Sequence, residues 1–391
     1  METRKLYYED SMLWEFSAQV LECTETDKGF AVVLDATAFY PEGGGQACDL
    51  GTLADAKVLD VREQGEQVVH LCDRALAVGE QVTGKIEAHR RFRLMQQHSG
   101  EHIISGLVHK AFGCHNVGFH MGKTSMEIDF DMPITWEQLQ QIELDANRVV
   151  WADLPLKCWY PSPEELPQVA YRTKRELPWP VRIVQIPGAD SCACCGVHVQ
   201  RTGQIGLIKI LSCLKFHQGV RLQLVCGEQA LEYMQDIFEQ NRIVSQTFSA
   251  KPLETGAAAI RARDALEGEK FRSAGLEKQV FASIAENYVN QGDVLHFADG
   301  LTPGALRNLA DAIADKIHGI AAVFSGSDEN GYSYCLISRC TDVRPLGKAV
   351  NQALSGRGGG KAEAVQGSVK CLRQQVEAFW AEKRTVSGFA L

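Results

Sequence analysis

The chain has 391 residues, of which 45% are hydrophobic and 23% are charged. This length exceeds what one hydrophobic core usually supports, so we expect a soluble globular protein with two or three domains. The formal net charge of -9 argues against indiscriminate nucleic-acid binding, but it is compatible with a local basic surface.

We expect no membrane-spanning segment, because no apolar run approaches the roughly 20 residues that such a helix needs. The first residues, METRKLYYEDSM, carry charges of both signs where a signal peptide has an apolar block. These features predict a cytoplasmic protein without a membrane partner. Its 13 cysteines are then expected to be reduced thiols, some of them at a metal site, rather than a disulfide framework.

The first two regions of the chain differ in their hydrophobic pattern. Residues 1–85 contain short alternating runs such as FAVVLDATAF, broken by glycine and charged turns, which predict a small antiparallel, β-barrel-like subdomain. Residues 86–227 mix helical spacing, as in HRRFRLMQQHSGEHIISGLVHKAFG, with strand-like runs such as VRIVQIPG and GLIKILSCLKF. Thr135 and Gln138 mark the start of a second helix. This second region is therefore predicted to be an α+β domain.

The second half of the chain predicts a connector and a further domain. In residues 228–285 apolar residues recur at spacings of three and four, which predicts two long connecting helices. Residues 286–391 alternate strand-like and helical segments and predict a compact α/β domain that ends in a helix. The fold class predicted for the whole chain is α+β.

Two short segments could form a local basic surface. HRRFR (89–93) and YRTKR (171–175) combine cations with aromatic residues, as contacts to phosphates and bases often do. An ordinary solvated helix face or loop explains each segment about equally well.

Two pairs of residues have the spacing of metal ligands. His98 and His102 are four residues apart in a predicted helix, so both imidazoles project from one face. Cys194 and His198 form a C-x3-H pair in a turn between strands, and thiolate and imidazole ligands together suit zinc. An isolated HxxxH pair is more often structural or on the surface.

Neighbouring cysteines leave an alternative open. Cys192 and Cys195 form a C-x2-C pair, and Cys195 forms a C-x2-H pair with His198. Either pair could bind zinc in a purely structural knuckle.

A glycine-rich segment, DATAFYPEGGGQACDLG (35–51), adds a third signal. Its run Gly43, Gly44 and Gly45, followed by Gln46 and Asp49, predicts a loop in which backbone amides can approach a ligand closely. Taken alone, such a run is more often a tight turn.

Together these segments resemble the editing domain of alanyl-tRNA synthetases and of the free-standing AlaX-type proteins. The shared pattern is FYPxGGGQxxDxG, then HxxxH, then CxGxHV followed by TGxIG, and the match is in the right order over roughly the first 230 residues. No synthetase aminoacylation core, which would take roughly 400 residues, precedes it. The resemblance therefore implies a protein that acts in trans.

A second resemblance lies near the end of the chain. GRGGGKAEAVQGSV (356–369) is similar to the glycine-rich signature of the DHH-associated C-terminal domain of alanyl-tRNA synthetases and long AlaX proteins. By itself the segment could be a phosphate-binding loop, a simple turn or a flexible linker. Its glycines are Gly356, Gly358, Gly359 and Gly360.

The resemblance implies hydrolysis of the ester that joins serine, or glycine, to tRNA(Ala), with alanyl-tRNA(Ala) spared. It also implies one zinc per chain, held by His98, His102, Cys194 (rather than Cys195) and His198, which either activates water or orients the substrate. The implied partner is mischarged tRNA(Ala), and the C-terminal domain is the expected site of a homodimer contact.

Further site residues follow from the matched motif. Gln46 is expected to hydrogen-bond the water or the ester carbonyl, and Thr37 to recognise the serine hydroxyl, unless it is simply a strand threonine facing its own sheet. Val197 is expected to contact substrate, and it stands where many relatives have threonine, which leaves the preference between serine and glycine open.

The loop glycines and two nearby carboxylates are the remaining candidates. The three glycines are expected to contact substrate. Asp49 is expected to pair with the substrate's ammonium group, and a turn-capping aspartate is the equally supported alternative. Glu101, between the two histidines, is expected to be solvated.

Two other functions use the same residues. HSGEH fits the H-x-x-E-H pattern of inverted zinc metallopeptidases, in which Glu101 would be the general base. A zinc-containing tRNA-binding protein without enzymatic activity is the other alternative.

Overall fold

The structure, a computed structural model, describes residues 2–173 and 179–386. The chain forms two compact units, Met1–Ile243 and Val244–Leu391, and the boundary between them falls inside the predicted connector. The predicted basic segment 171–175 lies partly outside the described residues. Within the ranges that are described, no helix has both the length and the apolar character needed to cross a membrane.

The first unit begins with a closed barrel. Six strands form it in the order β2-β3-β7-β6-β5-β8, and a parallel β1–β4 pair lies beside it. Side chains along β8 alternate between buried and exposed, so one face of the strand fills the barrel interior. The elements are β1 (Arg4–Lys5), α1 (Leu6–Glu9), β2 (Glu15–Thr26), β3 (Gly29–Leu34), β4 (Ala36–Thr37), β5 (Gly51–Leu53), β6 (Ala56–Gln64), β7 (Gln67–Cys72) and β8 (Gln81–Ile86).

The rest of the first unit packs two sheets around a long helix. One sheet has the order β14-β15-β10-β9 and the other β11-β12-β13. The elements are α2 (Ala88–Phe112), β9 (Asn116–Met121), β10 (Met126–Phe130), α3 (Trp136–Trp151), β11 (Lys157–Trp159), β12 (Ile183–Ile186), β13 (Asp190–Ala193), β14 (Ile208–Phe216), β15 (Gly219–Cys226) and α4 (Glu228–Thr247). Short 3-10 turns cover Leu166–Gln168 and Thr202–Ile205.

Helix α2 positions the candidate site. It is capped at its C-terminal end by Gly113, which has a left-handed backbone (φ 71°) and donates its amide hydrogen to the His109 carbonyl. Its central turns are buried nearly all round, and Ile103, Ile104 and Val108 belong to the hydrophobic core. The predicted start of α3 is confirmed, because Thr135 and Gln138 form a reciprocal capping box.

The second unit contains a long helix followed by a mixed sheet of order β16-β17-β18-β20-β19. Strands β16 and β17 are parallel, and the other pairs are antiparallel. The elements are α5 (Thr255–Glu286), β16 (Val294–Ala298), α6 (Pro303–Ala314), β17 (Ile320–Ser327), β18 (Gly331–Ser338), α7 (Arg344–Ala353), β19 (Arg357–Lys361), β20 (Ala364–Val369) and α8 (Arg373–Val386). The mixed helix and strand content confirms the predicted α+β class.

The C-terminal glycine signature forms a strand, so it is not the phosphate-binding loop, the simple turn or the flexible linker that the sequence left open. Gly358, Gly359 and Gly360 lie in the edge strand β19, whose backbone pairs with β20, and Gly356 immediately precedes it. A Cβ on Gly358 would lie 2.4 Å from the Gln366 carbonyl oxygen, and one on Gly360 would lie 2.1 Å from that of Ala364. The glycines therefore permit a close approach of two strands.

Candidate metal centre and substrate cavity

The four predicted ligands meet in space. His98 and His102 lie on successive turns of α2, while Cys194 and His198 follow β13. One potential ligand atom from each of these residues lies within 4.8 Å of all the others. The segment that carries Cys194 approaches α2 so closely that a Cβ on Gly196 would lie 2.1 Å from the His98 ring. Glycine is therefore required at this point in the cluster.

Each imidazole is held through its Nδ1 atom by a different partner. Nδ1 of His98 donates to Oε1 of Gln46 (2.8 Å), and Nδ1 of His102 donates to Oδ2 of Asp190 (2.9 Å). Nδ1 of His198 lies 3.1 Å from the Ser99 hydroxyl. These contacts leave the Nε2 atoms to face the centre, which is how ligating histidines are usually oriented by outer partners.

The buried polar atoms of the cluster suit a metal dication. Burial would raise the pKa of the Cys194 thiol, but the neighbouring His98 and His102 hold that pKa well below its ordinary value. Burial and the neighbouring His98 lower the pKa of His198 to about 3, and its Nε2 atom is buried with no hydrogen-bond partner among the described residues. Thiolate and imidazole groups are the ligands that zinc prefers, so the residue types present fit the metal.

A second combination of residues is less suited to a metal. His102, Asp190 and Cys192 also come within 4.8 Å of one another. Both Asp190 oxygens, however, accept hydrogen bonds from Arg172 (2.7 and 2.8 Å), so this carboxylate is already neutralised. Cys195 is exposed and belongs to neither group. Cys194 is therefore the cysteine that the geometry favours as a ligand.

A cavity of about 400 Å³ opens beside the cluster. Gly44 and Gly45 form one wall, and Gly118 and Phe119 form another. Gly45 has a positive φ of 83°, and a Cβ there would lie 2.7 Å from the Phe119 ring. Gly43 closes the turn through paired backbone hydrogen bonds with Gln46 (3.1 and 2.9 Å) and is not part of the cavity wall. The wall formed by Gly44 and Gly45 thus carries no side chain into the cavity.

The structure does not place Thr37 at the cavity, contrary to its predicted contact with substrate. Thr37 is completely buried, and its hydroxyl donates to Nε2 of His70 (2.8 Å) while it accepts from the Phe39 amide (3.1 Å). His70 donates through Nδ1 to the Val32 carbonyl (3.1 Å), so Nε2 of the neutral ring is an acceptor and the Thr37 hydroxyl is the donor that it requires. The alternative interpretation as a strand threonine agrees only in part, because Thr37 lies in β4 but its hydroxyl bonds to His70 of the barrel strand β7 rather than within its own sheet.

Asp49 and Val197 also lie away from the cavity, so the predicted substrate contacts of both are corrected. The Asp49 side chain is fully buried in an ion pair with Arg91 and accepts from the Tyr40 amide (2.6 Å). Its charge is therefore neutralised inside the protein, where a substrate ammonium cannot reach it. Val197 is completely buried in the hydrophobic core of this unit.

Glu101 is buried rather than solvated, so the sequence-based expectation for it is wrong. Only 4% of its surface is exposed, and it borders the cavity. Its Oε1 atom accepts hydrogen bonds from the Ser105 hydroxyl (2.7 Å) and from the Asn116 amide. Helical spacing alone could not reveal this, because Asn116 comes from strand β9.

Sequence reasoning also missed the residues that orient the ligands. Ser99 and Asp190 hold two of the histidines, and Arg182 donates to the carbonyl oxygens of Cys194 (2.9 Å) and Gly196 (2.8 Å). Arg182 also lies over the Tyr8 ring, 4.6 Å from its centroid. These roles depend on contacts between distant segments and leave no periodic signal.

We expect Gln46→Ala to weaken zinc binding by about 10- to 100-fold, because this substitution removes the acceptor that orients His98. Titration of the apoprotein with zinc against a competing chelator measures the change. Gln140→Ala on the exposed face of α3 is the matched control and should leave the affinity unchanged. Equal zinc affinity in Gln46→Ala and the native protein would contradict this positioning role.

Three family models match the chain. The threonyl and alanyl tRNA synthetase second additional domain matches residues 181–222, class II (A) tRNA synthetases match residues 3–90, and the DHHA1 domain matches residues 283–384. The first match includes Cys194 and His198, and the third includes the glycine signature.

Similar proteins fall into two groups by length. An alanine–tRNA ligase from Thermofilum pendens is 34% identical over 94% of this chain, but the chain spans only 42% of that ligase. Alanyl-tRNA editing proteins Aarsd1 are similar over nearly their whole length: that of Danio rerio is 28% identical over 96% of both chains, and that of Rattus norvegicus is 29% identical over 94% of both.

A solved structure is also similar to part of the chain. The C-Ala domain from Aquifex aeolicus alanyl-tRNA synthetase is 27% identical over 25% of this chain and 96% of its own, with a TM-score of 0.22 that is too low to support a structural conclusion. Taken together, the three matched domain models and the end-to-end similarity to Aarsd1 show that the chain belongs to the long AlaX-type family of alanyl-tRNA editing proteins.

Proposed function

We propose that the protein hydrolyses the ester of tRNA(Ala) mischarged with serine, or with glycine, and spares alanyl-tRNA(Ala). The observation that carries the proposal is a His3Cys cluster that opens onto a small, glycine-walled cavity. Such a cavity suits a small acyl group, and the family match supplies the tRNA as the expected partner. The similarity to the alanyl-tRNA editing proteins Aarsd1 over nearly their whole length supports this activity.

The metal would be held by His98, His102, Cys194 and His198. Bound there, zinc would supply a Lewis acid that polarises the ester carbonyl or lowers the pKa of a water molecule. A site with four protein ligands is usually structural, so either role requires that the coordination can open or expand.

The chain's own residues would place the ester beside this centre. Gly44 and Gly45 allow the acyl group to lie against the backbone. The buried Nε2 of Gln46 has no hydrogen-bond partner among the described residues, while its Oε1 accepts a hydrogen bond from Nδ1 of His98. This amide is therefore available to hold the attacking water or the ester carbonyl, a contact common to every accepted substrate.

The C-terminal unit is proposed to assist in tRNA binding or in homodimer formation. It carries the DHHA1 match, and it is a compact unit of its own. This placement would separate substrate capture from hydrolysis.

The structure offers no observation that favours the peptidase alternative. The cluster is completed by Cys194 and His198 rather than by a glutamate, and one oxygen of Glu101 is occupied by two donors. A binding protein without catalytic activity would share the zinc but would not turn over the ester.

Single-turnover deacylation tests the proposal with matched seryl-, glycyl- and alanyl-tRNA(Ala), with a denatured protein as the peptidase substrate. We expect the seryl ester to be cleaved faster than the alanyl ester, and the residue that binds the serine hydroxyl must be one other than Thr37, which lies away from the cavity. Rapid cleavage of alanyl-tRNA(Ala) would reject the editing role. Cleavage of the denatured protein alone would favour the peptidase.

A further inference from the structure

Glu101 is a buried carboxylate that the proposed mechanism does not use. It lies on α2 next to His102 and is fixed by two donors, the Ser105 hydroxyl and the Asn116 amide. Asn116 also donates to the Ser105 hydroxyl (3.0 Å), so the three side chains form a closed network. Because both described donors bind Oε1, this network sets the direction of Oε2.

The second oxygen of Glu101 lies beside the metal cluster. Oε2 is 3.9 Å from Nε2 of His102, and Glu101 borders the same cavity as Gly44 and Gly45. Glu101 does not belong to the cluster of His98, His102, Cys194 and His198, whose ligand atoms all lie within 4.8 Å of one another. This argues against Glu101 as a fifth metal ligand. The structure thus presents a negative charge to the cavity from a fixed position.

A negative charge at this point matches one feature of an aminoacyl ester. Its α-nitrogen is two bonds from the carbonyl carbon, so a group that binds the ammonium must lie close to the groups that act on the ester. Asp49 cannot serve, because it is fully buried against Arg91. Arg172 is the cation that also borders the cavity, but it is paired with Asp190. Glu101 is then the carboxylate best placed for the ammonium.

We propose that Oε2 of Glu101 accepts a hydrogen bond from the α-ammonium of the substrate, so that the site selects esters with a free amino group. This inference rests on the proposed ester hydrolysis and specifies its substrate class. A charge-assisted hydrogen bond is worth a factor of about 10 to 100 in binding. The side chain would act by direct contact with substrate.

The test compares seryl-tRNA(Ala) with glyceroyl-tRNA(Ala), the corresponding ester of glyceric acid, in which a hydroxyl replaces the α-ammonium. Each enzymatic rate is divided by the uncatalysed rate of the same ester, because the ammonium also activates the ester chemically. We expect the native protein to prefer the seryl ester by about 10- to 100-fold in kcat/KM. Equal corrected rates for the two esters would overturn the inference without any variant.

Glu101→Gln provides the second arm, because glutamine keeps the acceptor for Ser105 and Asn116 but removes the charge. This variant should lose the preference because it cleaves the seryl ester more slowly. Its cleavage rate for the glyceroyl ester and its zinc content should be unchanged. Glu137→Gln, an exposed glutamate on α3, is the control and should behave like the native protein. If Glu101→Gln slows both esters equally or neither, the assignment fails while the hydrolase function stands. If the native protein cleaves neither ester, the proposed function itself is rejected together with the inference.

Discussion

Cys194→Ser is expected to reduce bound zinc from about one per chain to nearly none and to slow seryl-tRNA(Ala) deacylation by at least about a hundredfold. Loss of an outer partner of a ligand typically costs 10- to 100-fold in metal affinity, so loss of a ligand should cost more. The hydroxyl of serine stays protonated near neutral pH and cannot replace the thiolate that the neighbouring histidines favour. Metal analysis and single-turnover deacylation on the same preparations measure both effects.

The neighbouring cysteines are matched controls for this prediction. Cys195→Ala removes an exposed thiol. The hydrogen bond from the Tyr8 hydroxyl (2.8 Å) is kept, because it goes to the backbone carbonyl of Cys195 and not to its side chain. Cys192→Ala removes a buried thiol from the alternative group with His102 and Asp190. Both variants should keep their zinc. If Cys194→Ser keeps zinc while either control loses it, the ligand set is wrong.

Local patterns predicted the positions of the ligands but not their surroundings. The spacing of His98 and His102 indicates one face of a helix, and α2 does place them on successive turns. The partners Gln46, Asp190 and Ser99 are different in kind, because all three lie about 50 to 100 residues away in sequence from the histidines that they hold. Only the tertiary fold brings these together.

Burial was the least predictable property of the site. Thr37, Asp49 and Glu101 are polar residues that were expected to face substrate or solvent, yet each is buried and hydrogen-bonded. A polar side chain can be buried only where partners exist, and here the partners are His70, Arg91 and Asn116, all outside the motifs that carry the polar residues. The C-terminal glycines illustrate the same limit for backbone: they form a strand because β20 is available to pair with them.

The ion pair between Asp49 and Arg91 links the glycine turn to helix α2. Both side chains are fully buried, and Arg91 also donates to the carbonyl oxygens of Ala38 and Ser11. The pair therefore joins the barrel and the helix that carries His98. A buried pair adds little net stability compared with apolar residues, but breaking it leaves an uncompensated charge in the interior.

Asp49→Asn should accordingly lower the free energy of unfolding of the first unit by about 3–5 kcal/mol, because asparagine keeps the shape of the side chain but leaves the Arg91 charge unpaired. Urea unfolding followed by tryptophan fluorescence measures this, since every tryptophan except Trp380 lies in residues 1–243. Glu9→Gln is the control: it breaks the exposed bidentate pair with Arg4 and should leave the free energy of unfolding nearly unchanged, because exposed ion pairs contribute little to stability. The sequence-based alternative, in which Asp49 binds the substrate ammonium, makes the opposite prediction of a raised KM with unchanged unfolding. Native-like stability of Asp49→Asn together with a raised KM would therefore return the ammonium contact to Asp49 and remove the argument that assigns it to Glu101.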